Sequence, residues 1–202
     1  EYNGHSQITD TTRITLSNLT PATRYYVKVR ALCEEDDYSD WSDSISLVTE
    51  CVTIEDFPYT QDFAQEDFPP ICWMQERTEE GFGNVGDDFP EGAWTRNNTE
   101  IGGNTTPKAQ LNDSRAGSKH NLVTGLFNFT AEDGYFITLD VFRNIDIPEY
   151  EEGVRILVSE NPYIDENTDT IAFIPHSYTA TPDGHDDLVG AETAPGWYTY
   201  TF

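Results

Sequence analysis

Basic residues are scarce in this chain. Eleven Lys and Arg stand against 37 Asp and Glu, a formal net charge of −26 over 202 residues. A surface of that sign repels phosphate backbones and excludes nucleic acid as a partner. Anionic membrane surfaces are disfavoured for the same reason. Long hydrophobic runs are missing too: no stretch reaches the ~18 consecutive apolar residues of a membrane-spanning helix. Cysteine is rare, at 3 residues, too few for the count alone to assign a redox compartment. No segment carries a sustained helical period with caps.

Signatures of catalysis are absent as well. There is no H-E-x-x-H, no G-x-S-x-G and no glycine-rich phosphate loop. His5, His120, His176 and His185 are scattered, with no spacing that gathers the three or four ligands of a zinc site. A glycosidase needs only two facing carboxylates. With 37 acids such a pair arises by accident, so the pattern carries no signal. The sequence therefore offers no catalytic residues, and it reads as a non-enzyme.

What is present reads as folded β structure. Aromatics make up 13% of the residues, far above an acidic disordered tail. In the segment Leu19–Thr49, Pro21 presets a turn and Thr23 can bond its own nearby backbone. Tyr25, Val27, Val29 and Ala31 then alternate with Tyr26, Lys28 and Arg30, the period of a strand with one buried and one wet face. Thr12–Leu16 and Ser44–Thr49 read as two more strands. A Tyr just inside a strand, with its hydroxyl tied back to the preceding corner, is a sandwich hallmark.

The composition shifts at Glu50–Phe57, which predicts a boundary with units 1–50 and 51–202. Beyond it, strand candidates are Asn121–Phe129, Tyr135–Arg143, Val154–Ser159, Thr170–Ile174 and Trp197–Phe202. Residues 75–120 read as long loops with one strand around Gly92–Arg96. Short strands punctuated by Gly, Pro, Asn and Asp argue for a sandwich or jelly roll, whose long loops are the usual places for binding sites.

The segment L-T-P-A-T-R-Y-Y-V-K-V-R-A-L-C followed by W-S-D-S-I-S-L-V-T resembles the last third of a fibronectin type III module. From Cys51 onward, the order D-F, P-P-I-C-W-M-Q, L-V-T-G-L-F-N-F, Y-F-I-T-L-D-V-F and G-V-R-I-L-V-S-E-N-P is similar to MAM domains and to the cleaved-adhesin modules of gingipain-type bacterial surface proteins. The two resemblances imply an all-β chain: part of a fibronectin type III sandwich, then a jelly roll. They also imply that the chain opens inside one module and that the last strands of the second are missing from it. The combination resembles repeat-built proteins of bacteria with type IX secretion. It implies a secreted or cell-surface binding and adhesion module. Its partners would be an extracellular protein, a glycan or neighbouring domains of the same polypeptide. The runner-up is an accessory or carbohydrate-binding region of a secreted hydrolase, and a third reading is a structural spacer.

Site residues follow from the same resemblances. A MAM-like bridge would join Cys51 to Cys72, closing a loop of about twenty residues worth ~3 kcal/mol in the chain-entropy model. The rival pairing is Cys33–Cys51. Related jelly rolls hold structural Ca2+, a hard cation that takes oxygen ligands, and Asp87, Asp88, Glu91 and Asp113 are loop acids able to supply them. The same acids also read as a solvated surface. Ala64 stands where the family places a Glu ligand. Trp94 and Trp197 lie near glycines, where a ring can be exposed for stacking on sugars; the alternative is a core role. Sequons at Asn18, Asn97, Asn104, Asn112 and Asn128, and the tripeptides starting at Asp10, Asp43 and Asp169, resemble glycosylation signals of two different kinds of organism.

Overall fold

A computed structural model describes residues 6–34, 37–78, 93–111, 119–130, 134–149, 151–161, 163, 165, 167–185 and 193–202. Among these the chain is all-β, with twelve strands paired in small antiparallel sheets and no helix. It divides into two compact units, Glu1–Val52 and Thr53–Phe202.

In the first unit, β1 (Arg24–Val27) pairs antiparallel with β4 (Ile45–Val48), and β2 (Leu32–Glu34) with β3 (Asp37–Tyr38). The register sets Tyr25 opposite Leu47 and Val27 opposite Ile45, so these four side chains share one face. Thr20 N–H donates to the Tyr25 hydroxyl at 2.9 Å, which ties the strand to the preceding corner. Thr49 staples the other side: its Oγ1 accepts from Thr23 N–H at 3.0 Å and donates to the Thr20 carbonyl at 2.7 Å. Ser39 Oγ and Ser42 Oγ accept from the N–H groups of Ala31 and Val29. Those bonds interrupt the run from Tyr25 to Ala31, so the regular strand stops at Val27. Thr12–Leu16 is not a strand. Ile14 and Leu16 are exposed there, and no described strand pairs with the segment, so its alternation has no ladder to join.

The second unit contains β5 (Met74–Thr78), β6 (Trp94–Asn97), β7 (Lys108–Leu111), β8 (Lys119–Val123), β9 (Thr138–Arg143), β10 (Gly153–Val158), β11 (Asp169–Pro175) and β12 (Gly196–Thr201). The antiparallel pairs are β5–β8, β6–β7, β9–β12 and β10–β11. Residues expected to be mostly loop thus contribute β5 and β7 as well as β6. The sequences M-Q-E-R-T and K-A-Q-L lack the β-branched and aromatic density that marks a strand in isolation.

The core lies between β9–β12 and β10–β11. Ile156, Ala172, Ile174 and Tyr200 are buried, with Ile137, Leu139, Val141, Tyr198 and Phe202 packed against them. Register explains the choice. Tyr198 and Tyr200 face the same way as their partners Val141 and Leu139, while Val154 and Ile156 share a face with Ile174 and Ala172. The opposite face of β9–β12 carries the Trp197–Phe142 ring pair and a Thr199–Asp140 hydrogen bond at 2.6 Å. Arg143, on the core face at the end of β9, is fully buried. Its Nε donates to the Pro175 carbonyl at 2.7 Å, Nη1 to the Tyr200 hydroxyl at 2.8 Å, and Nη2 to the carbonyls of Ser177 and Ala180. This one side chain holds the turn after β11 against β9 and β12.

Candidate functional site: an exposed aromatic cluster

Cys51 and Cys72 form a disulfide, and Cys33 is an exposed free thiol. Cys72 has φ 69°, a left-handed conformation inside P-P-I-C-W. A disulfide of this kind belongs to an oxidising, extracellular-type environment. Next to it, Trp73 donates from Nε1 to the Tyr59 hydroxyl at 3.2 Å and meets Phe63 edge to face at 6.0 Å. Arg96 closes the neighbouring loop, with Nε on the Phe63 carbonyl at 2.7 Å and Nη2 on the Ala64 carbonyl at 3.2 Å. The segment 61–73 is therefore fixed by a covalent bond, an arginine and a knot of rings.

Beside this knot the rings reach the surface. Ile54 forms a parallel bridge with Phe127, through Ile54 N–H to the Leu126 carbonyl at 2.8 Å and Asn128 N–H to the Ile54 carbonyl at 2.9 Å. The bridge brings Phe57 next to Phe127, Phe129 and Tyr135. Centroid separations are 6.1 Å for Phe57–Phe127, 5.7 Å for Phe57–Phe129, 5.5 Å for Phe127–Phe129, 5.1 Å for Phe57–Tyr135 and 4.5 Å for Phe129–Tyr135. Tyr59 adds an edge-on contact to Phe127 at 5.4 Å. The three Phe planes lie within 15–30° of one another. Phe57 is 41% exposed, Phe129 50%, Tyr135 36% and Tyr59 38%, while Phe127 is half-buried beneath them. Single exposed apolar residues need no explanation, but a contiguous aromatic patch marks a contact surface.

The rim is polar and acidic. Thr130 N–H donates to the Tyr135 hydroxyl at 2.9 Å, and Thr130 Oγ1 lies 3.1 Å from the same oxygen. This is a second corner of the Tyr25 kind, again over five residues, and it orients Tyr135 in the cluster. Asn128 Nδ2 donates to Glu55 Oε1 at 3.1 Å, and Asp56 directly precedes Phe57; both acids are exposed.

The two tryptophans singled out from the sequence lie elsewhere and are half-buried. Trp94 Nε1 donates to the His120 carbonyl at 2.9 Å and fastens β6 to β8. Trp197 Nε1 donates to the Ile101 carbonyl at 2.7 Å and its ring packs on Phe142. The loop acids Asp87, Asp88, Glu91 and Asp113 lie outside the described residues. Among the described residues, no three His, Cys, Asp or Glu side chains converge as a metal site. One acid there has a clear shift: hydrogen bonds from the Asn161 side chain and the Asn167 N–H hold Asp165 below its ordinary pKa of 3.8.

Sequence reasoning passed over the aromatic cluster because its members come from two distant segments, 57–59 and 127–135. The available signal was the alternation in L-F-N-F-T, which sets Phe127 and Phe129 on one side of the chain. No protein-family model, curated protein or solved structure matches this chain.

Proposed function

We propose that this chain is a non-catalytic binding and adhesion module of a secreted or cell-surface protein, built from a fibronectin type III-like unit and a MAM-like or cleaved-adhesin-like jelly roll. The exposed cluster of Phe57, Tyr59, Phe127, Phe129 and Tyr135 carries this reading. A spacer has no use for a contiguous aromatic surface, which costs solubility unless something covers it. The disulfide and the Arg96 bonds hold the surrounding segment in place, so a partner need not order it on binding. The strong negative charge keeps the module soluble despite the patch.

The test is retention of the recombinant chain on a panel of immobilised extracellular proteins and neutral oligosaccharides. Saturable retention that drops about tenfold in the Phe57→Ser/Phe129→Ser variant is expected, the scale of truncating one or two anchor residues. Retention on every surface no better than that of an unrelated acidic protein would leave the spacer reading instead.

A further inference from the structure

We infer that the cluster of Phe57, Phe127, Phe129 and Tyr135 receives arginine side chains from a basic segment of a partner protein. This rests on the binding reading above and gives the partner its chemistry. The ring faces supply the first argument. An aromatic face is electronegative at its centre and attracts a cation held within ~6 Å of the centroid. Phe57 and Phe129 are stacked at 24° with centroids 5.7 Å apart and are 41% and 50% exposed, so both leave ring surface open to a partner. A planar, weakly hydrated guanidinium can stack on such a surface, whereas a compact, strongly hydrated ammonium makes a poorer contact.

Charge supplies the second. Asp56 precedes Phe57 in the chain, and Glu55 is bonded to Asn128, which stands between Phe127 and Phe129. Exposed carboxylates thus border the rings and suit the forked donors of arginine. The whole chain, at −26, repels an acidic partner and steers a basic one toward contact. The molecule already uses this pairing internally. Arg30 lies 3.7 Å from the Tyr38 ring centroid and 4.5 Å from that of Trp41, and Arg155 lies 5.6 Å from that of Phe173.

Diffuse attraction to a polyanion would also bind basic peptides, so the test separates rings from charge. Binding of a Gly-spaced tetra-arginine peptide and its tetra-lysine counterpart is measured by calorimetry at physiological salt. The expected result is about tenfold tighter binding of the arginine peptide to the wild-type chain. That preference should vanish in Phe57→Ser/Phe129→Ser and persist in Phe129→Trp, which keeps a ring face. Glu55→Gln/Asp56→Asn should weaken both peptides together. Equal binding of the two peptides by the wild type would overturn the inference, as would a preference that survives loss of both rings. A neutral oligosaccharide that binds this cluster, with no arginine preference, would overturn the arginine assignment and leave the binding reading standing. Failure of both peptides and of the whole panel would end both.

Discussion

Replacing Arg143 by Ala removes a side chain that bonds four acceptors among the described residues. The guanidinium donates to the carbonyls of Pro175, Ser177 and Ala180 and to the Tyr200 hydroxyl, and it is fully buried. A hydrogen bond to a charged group contributes ~1.5–3 kcal/mol net, and orphaning a buried acceptor costs ~1–3 kcal/mol. These costs overlap, because the turn after β11 can relax toward water once released. We therefore expect a loss of ~3–5 kcal/mol, the usual range for breaking a buried charged network. For a unit of the size of Thr53–Phe202, that lowers Tm by roughly 10 °C. Arg143→Lys should recover little, since an ammonium has three donors at one point and cannot span acceptors placed around a planar fork. The assay is thermal and urea unfolding followed by near-ultraviolet circular dichroism, alongside hydrogen exchange of residues 175–180. An Ala variant within ~1 kcal/mol of wild type would refute the claim that this arginine holds the turn after β11 against β9 and β12.

Four further outcomes are expected. Tyr25→Phe and Tyr135→Phe each remove a corner hydrogen bond and should each cost ~1 kcal/mol in urea unfolding, within their own units. Gly102 has φ +55°, and a Cβ there would lie 2.4 Å from Phe142, so Gly102→Ala should lose ~1–3 kcal/mol and alter the fluorescence of Trp197, which packs on that ring. Reducing the Cys51–Cys72 bridge should destabilise the chain by ~3 kcal/mol, read as a lower urea midpoint in reductant that Cys51→Ser/Cys72→Ser reproduces. Asp165 has a lowered pKa in the fold, so its contribution is present above its ordinary 3.8 and is lost as pH falls through the lowered value. Protection of the Asn167 and Thr168 amides, taken relative to intrinsic exchange at each pH, should fall across that acid range in wild type and stay constant in Asp165→Asn.

Much of the strand content was legible because it is local. Residues 138–143, 153–158, 169–175 and 196–201 lie where runs of Val, Ile, Phe and Tyr placed strands, and the corner at Tyr25 follows from a Tyr just after a Pro–Thr turn. Thr12–Leu16 shows the limit: it alternates, yet no described strand lies beside it, and a strand needs a partner. Met74–Thr78 and Lys108–Leu111 show the converse. Their sequences are unremarkable as strands, and pairing with Lys119–Val123 and Trp94–Asn97 makes them so.

By itself the sequence determined the all-β class and the strong negative charge, because composition and period-two patterning act residue by residue. Tertiary structure decided which rings are wet. Trp94 and Trp197 give their indole N–H groups to distant carbonyls, while Phe57 and Phe129, more than seventy residues apart in sequence, meet at the surface through the Ile54–Phe127 bridge. Exposure depends on what the rest of the chain brings alongside a side chain, and only long-range pairing fixes that.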